Sequence, residues 1–325
     1  MKKLLLRGLA ALVLLAVAMP AAVLAATDFP SHTVTLIVPY APGGLPDTIG
    51  RVVGQRLSEK WGQAVVVENR PGSNGVVAAV YMKTKAPDGY TLMVTDLATF
   101  SINPYLYKTL PYEEKDFTFV SLTARAPLFL ALNPSIPAAN FPQFVALAKA
   151  NPGKYSYGSS GVGSIMQLVM ESVKASLGID VLHVPYKGTG QSVPAAVSNQ
   201  VSLVVSAYPS LQGFAKDGKL RLIAVTTAEP SALAPDVKPI AQSEIPGFDL
   251  APWIGLTGPA GMPAAVVNKI ASDVSAVVKE PAIQEKLQVL GIDPNGGGPR
   301  EFAAALAVDK AKVEKVVKQA GIQPE

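Results

Sequence analysis

Cysteine is absent from the 325 residues, which excludes disulfides, thiolate chemistry and cysteine-held metals. Histidine is nearly absent: the chain has His32 and His183. A Ser-His-Asp triad could be assembled only by assumption, and no His-Glu-x-x-His spacing offers a metal site. No serine stands in a Gly-x-Ser-x-Gly context. Gly161-Val-Gly163 lacks the third glycine of a dinucleotide fingerprint, and no acid-ended strand follows it. Charge is sparse, at 16% of residues, and balanced. The formal +4 includes Lys2, Lys3 and Arg7; without these three, 25 basic residues face 24 acidic ones. Near-neutrality argues against nucleic acid or an anionic membrane as partner. Only Leu9–Val17 is a long apolar run, and no later segment has the length or apolarity of a membrane span.

What is present begins with a leader. The basic start, the short apolar core and the small residues Val23 and Ala25 read as a secretory signal peptide cleaved after Ala25. An uncleaved anchor is the alternative. The expected location is the periplasm.

Strand and helix patterns then alternate. Apolar runs at 34–38, 64–68, 90–94, 129–132, 182–184, 201–205 and 220–226 read as strands. Helical patterns cover 141–150, 165–177, 191–198, 264–278, 281–289 and 300–319. Such alternation predicts an α/β chain of parallel sheets covered by helices, and about 300 residues suffice for two domains. A helix after Pro46 has Asp47 as a candidate cap and Ile49, Val52, Val53 and Leu57 on its apolar face.

The sharpest functional signal is Tyr157-Gly-Ser-Ser-Gly-Val-Gly-Ser164, set directly before a helical pattern. Free amides, hydroxyls and the positive end of a helix dipole there hold an anion without a charged side chain. Ser164 and Gln167 also form a Ser-x-x-Gln capping box. The sequence leaves Gly161–Gly163 with amides to offer a ligand.

Six motifs extend the reading. Val38-Pro-Tyr-Ala-Pro-Gly-Gly-Leu-Pro-Asp47, Val67-Glu-Asn-Arg-Pro-Gly72 and Ala86-Pro-Asp-Gly-Tyr-Thr-Leu92 come first. Ile102-Asn-Pro-Tyr-Leu-Tyr107, the 157–164 turn and Val184-Pro-Tyr-Lys-Gly188 follow. In this order they resemble the signatures of Bug-type solute receptors of tripartite tricarboxylate transporters.

The resemblance implies a two-lobed periplasmic binding fold of the Venus flytrap kind, type II-like, with ligand in the cleft. Its expected lobes are 27–122 with 226–325, and 123–225, crossing near Leu122 and Val225. It implies that a ligand carboxylate rests on Ser159, Ser160, Gly161, Gly163 and Ser164, with Gln167, Tyr186 and Ser206 alongside. From the facing lobe Tyr40, Ala41, Pro42, Gly43 and Gly44 would reach it, in part through waters. Asp47, Asp96 and Thr99 lie on that side; Asp47 and Asp96 read equally as helix caps. Many relatives carry histidine at 167 and aspartate near 206, so Gln167 and Ser206 make this cleft less charged. The implied partners are a small mono- or dicarboxylate, aromatic or amino acid, and membrane permease subunits. The implied protein is a monomer without cofactor. A secreted hydrolase and a ligand sensor for a membrane signalling partner are the competing readings.

Overall fold

The structure, a computed structural model, describes residues 29–320. The leader and its cleavage after Ala25 lie outside the described residues.

The first stretch contributes β1 (Val34–Val38), α1 (Leu45–Trp61), β2 (Val65–Asn69), α2 (Val76–Lys83) and β3 (Thr91–Asp96). A π-helical turn, Ala98–Ile102, runs into α3 (Asn103–Leu106), and β4 (Phe117–Arg125) follows. The middle holds β5 (Leu128–Leu132), α4 (Phe141–Ala150), β6 (Tyr155–Ser159), α5 (Ile165–Leu177) and β7 (Val181–Pro185). It continues through α6 (Thr189–Val197), β8 (Leu203–Ala207), α7 (Tyr208–Lys216) and β9 (Arg221–Val225). The chain ends with β10 (Trp253–Pro259), α8 (Ala264–Val278), α9 (Pro281–Val289), β11 (Asp293–Gly297) and α10 (Pro299–Ala320).

Two sheets result. One has the order β11-β4-β10-β3-β1-β2, the other β7-β6-β8-β5-β9. Each is packed on both faces, which is why β1 and β5 read as unbroken apolar runs. Val34, Leu36 and Val38 of β1 meet α1 and α8 on one face, while Ile37 joins Phe100, Trp253 and Phe302 on the other. In the second sheet Leu128, Leu130 and Leu132 face α4 and α5, and Phe129 and Ala131 face α6 and α7.

The expectation of parallel sheets holds for four of the nine strand pairings among the described residues. β1, β2 and β3 run parallel, as do β6, β7 and β8. β10 runs antiparallel to β3 and β4, β11 to β4, and β5 to β8 and β9. Antiparallel strands can return without a crossover helix.

Of these, β4, β5, β9 and β10 also lead the chain from one sheet to the other. β4 stays in the first sheet to Arg125, beyond Leu122. After Val225 the chain remains on the second sheet: Val225 pairs with Pro239, the Leu250 amide donates to the Thr226 carbonyl at 3.0 Å, and Ile240, Phe248 and Leu250 join its core. The two connections meet side by side, with the Ala126 amide donating to the Pro252 carbonyl at 2.9 Å. Arg125 on one bridges to Asp249 on the other at 3.2 Å.

Among the described residues no helix is long and apolar enough to cross a membrane.

Candidate functional site

The loops after β1, β2 and β3 of the first sheet, and after β6, β7 and β8 of the second, all leave the carboxyl ends of parallel strands. That edge is where open α/β sheets place ligands. The site residues read from the sequence fall on these loops, on the first turn of the element that follows, or, for Asp96, Ser159 and Ser206, in the last two residues of the strand before.

On the first sheet Tyr40 to Gly44 join β1 to α1. Ala41, Pro42, Gly43 and Gly44 are exposed. Gly44, in extended backbone, is the N-cap of α1, so Asp47 is not the capping residue; it stands in the first turn and reaches back. Its Oδ2 accepts from the Gly43 amide at 2.9 Å and from Arg51 Nε at 3.0 Å. Its Oδ1 accepts from Asn69 Nδ2 at 2.8 Å and faces Arg51 at 2.9 Å. Asn69 also donates to the Tyr40 carbonyl at 3.0 Å. Burial alone would raise the Asp47 carboxyl, but the bonds from Arg51, Gly43 and Asn69 outweigh it and hold it below the usual carboxylate range. Asp47 is 3% exposed and fully partnered, so it shapes the loop rather than offering itself to the cleft.

Asp96 does cap. Its Oδ1 accepts from the Ala98 amide at 3.1 Å, at the start of the π-helical turn. Burial pushes its carboxyl above the ordinary value, although a bond from Tyr40 and the amides of Thr99 and Ala98 pull the other way. Tyr40 is pushed up by burial and by that same carboxylate. Thr99 is buried and its carbonyl accepts from Tyr112 Oη at 2.6 Å.

On the second sheet β6 ends at Ser159, and the turn to α5 requires glycine twice. Gly161 has φ +133° and Gly163 φ +76°. Ser164 is the N-cap of α5, its Oγ accepting from the Gln167 amide at 3.3 Å. The expectation that Gly161–Gly163 keep their amides free fails at both glycines, and Ser164 is engaged as well. Gly161 donates to Ser159 Oγ at 3.1 Å, Gly163 to Gln167 Oε1 at 2.7 Å, and Ser164 to the Gly161 carbonyl at 3.2 Å. The glutamine side chain closes over the glycine one place earlier than a capping box would. The Ser159 hydroxyl is committed as well: it is buried, 2.7 Å from His183 Nε2 and 3.1 Å from the Gly161 carbonyl. Among the described residues the amides of Ser160, which is half-buried, and Val162, which is exposed, donate to no partner. The Ser160 hydroxyl touches only the soft Met166 sulfur, at 3.2 Å.

His183 is a site neighbour that sequence reasoning treated as structural. Its ring stacks on Tyr157 at 4.8 Å, and burial pushes its pKa down, so it is neutral near pH 7. Tyr157 in turn donates to Glu171 at 2.6 Å. Tyr186 follows β7 and donates its amide to the Ser159 carbonyl at 3.2 Å, which ties the two loops together. Ser206, at the end of β8, is fully buried with a hydroxyl that has no partner among the described residues. Three asparagines were missed as organisers: Asn69, Asn74 and Asn103. Two of them stand in motifs quoted above, but their partners are far away in sequence.

The arrangement has known counterparts. The family described as "Tripartite tricarboxylate transporter family receptor" matches residues 49–322. A Rhodopseudomonas palustris protein solved with adipate is 32% identical, with TM-score 0.85 over 92% of this chain and 100% of that one. The periplasmic binding protein BugD is 27% identical, with TM-score 0.81 over 91% and 100%. MatC of R. palustris, solved with bound malate, is 28% identical, with TM-score 0.78 over 89% and 100%. The two-lobed binding-protein fold agrees with these comparisons, and the chain belongs to the tripartite tricarboxylate transporter receptor family.

Proposed function

We propose that this protein is an extracytoplasmic receptor that captures a small dicarboxylic acid between its two lobes and hands it to membrane permease subunits. The observation that carries this reading is the 159–164 turn, which leaves the Ser160 and Val162 amides without a partner among the described residues at the positive end of a thirteen-residue helix. Such a site holds a carboxylate by charge-assisted bonds without a counter-charge. The relatives solved with adipate and malate support a dicarboxylic acid as the ligand class. Ser160 and the Ser160 and Val162 amides are the contacts on one side, with Ala41 to Gly44 on the other. The lobes divide at 126–127 and at 250–252, and the leader sends the mature chain to the periplasm as a monomer.

The hydrolase reading draws on one feature, the Ser159–His183 pair at 2.7 Å. That distance suits a nucleophile and its base. Ser159 is 0% exposed, however, and its oxygen is shared with both polar groups of Gly161. An acyl substrate has no approach to it. A signalling role would use the same clamp and is separated from transport by the neighbouring genes, permeases against a sensor kinase.

A thermal-shift screen of linear dicarboxylates tests the reading. At a hundredfold excess over Kd a true ligand adds about 2.7 kcal/mol to the folded state. At least one four- to six-carbon diacid is expected to raise the melting temperature. A flat response across the series contradicts the assignment.

A further inference from the structure

Several residues bind the two lobes to each other without belonging to either face of the anion turn. Gly163 is buried against the first lobe: a Cβ built on it would lie 2.1 Å from Leu106 Cδ1. Its carbonyl is 3.5 Å from Asn74 Nδ2. Asn74 takes left-handed backbone, φ 51°, and is held there by Asn103. The Asn103 Oδ1 accepts from Asn74 Nδ2 at 2.8 Å, and Asn103 Nδ2 donates to the Asn74 carbonyl at 3.0 Å. Asn103 is fully buried and donates also to Tyr112 Oη at 2.9 Å, which donates onward to the Thr99 carbonyl. Just behind the turn, Ile165 and Leu168 of α5 enter the apolar cluster of the first lobe, against Leu106 and Val316.

From this geometry we infer that Asn74, Asn103 and Leu106 form a latch. They hold the 159–164 turn against the first lobe when the clamp is shut, and so set how long a ligand stays without touching it. The inference rests on the clamp reading of the cleft. A ligand enclosed between lobes leaves only when the lobes part, and parting them breaks the Leu106–Gly163 contact and the Asn74 bridge. Contacts made only in the shut state act on the dissociation rate, where most affinity differences between related complexes lie. Glycine at 163 then has two causes: its positive φ, and the absence of a side chain where Leu106 enters. The motif Ile102-Asn-Pro-Tyr-Leu-Tyr107 supplies both the asparagine that fixes Asn74 and the leucine that makes the contact.

Three variants test it: Leu106→Ala, Gly163→Ala and the pair together. Two readouts are taken, small-angle scattering of the ligand-free protein and stopped-flow kinetics with adipate as probe. Gly163→Ala is expected to enlarge the radius of gyration and to speed adipate release about tenfold or more. Adding Leu106→Ala to it removes the clash and recovers a large part of both changes. Leu106→Ala alone speeds release a few-fold. The latch is overturned if Leu106→Ala restores nothing in the Gly163→Ala background and alone leaves both readouts at wild type. If wild type shows no adipate signal, the carboxylate reading fails for that ligand; the scattering comparison needs no ligand and still decides the latch.

Discussion

Trp253→Ala is expected to lower the stability of the first lobe by about 3–5 kcal/mol from the cavity alone. Trp253 is 1% exposed, in the strand that re-enters the sheet between β3 and β4. Its ring meets Phe302 edge-on at 4.8 Å. Its indole N–H donates to the Asp309 carboxylate. Asp309 is itself 9% exposed, and burial raises its pKa despite that bond and the nearby Lys312 and Arg125. Removing the indole therefore leaves a void and a carboxylate short of a donor, which adds about 1–3 kcal/mol. Trp253→Phe keeps most of the packing and loses the donor, so it should cost roughly that second amount. Chemical denaturation followed by far-ultraviolet circular dichroism separates the two. An alanine variant that unfolds at the wild-type midpoint would show that the seam between β10 and α10 is not what holds this lobe.

Gly161→Val is expected to cost binding far more than folding. With φ +133° the position admits glycine alone in practice, and a Cβ would come within 3.2 Å of the Tyr186 carbonyl. Strain of this kind costs on the order of 1–3 kcal/mol in stability. The turn has an easier escape than unfolding: it can change shape, and then the Ser160 and Val162 amides no longer converge. Each charge-assisted bond lost removes about 1.5–3 kcal/mol, so affinity for the diacid should fall at least a hundredfold. Val162→Ala, which trims an exposed side chain at the tip of the same turn, should leave affinity near wild type. Affinity retained within threefold in Gly161→Val would remove the turn from the binding site.

The helices were the most legible part of the chain. The patterns over 141–150, 165–177, 264–278 and 281–289 coincide with α4, α5, α8 and α9, because each has one apolar face and a proline or serine at its start. The strands that join the lobes were not. β4 mixes Thr118, Ser121 and Thr123 with apolar residues, so it lacks a clean period, and β11 is Asp-Pro-Asn-Gly-Gly. β11 survives as a strand because it lies at the sheet edge, where proline is tolerated: Pro294 pairs with Ala124, and the pairing with β4 shifts register between Pro294 and Gly297. At the site the glycine–serine turn was visible as composition. Which of its amides stay open was not, because that depends on where the Gln167 and Ser159 side chains turn. Asn69, Asn74 and Asn103 were invisible as organisers for a different reason. An asparagine that braces a loop looks in sequence like any other loop asparagine.

The most direct measurement is calorimetric titration of the purified protein with the diacid selected by the thermal-shift screen, set beside its diamide. The two molecules share their carbon chain and their reach across the cleft and differ in charge at both ends. A site made of amides at a helix N-terminus holds the charged form by bonds the neutral form cannot match. The diacid is expected to bind and the diamide to bind at least a hundredfold more weakly. Equal affinity for the two would contradict the carboxylate clamp.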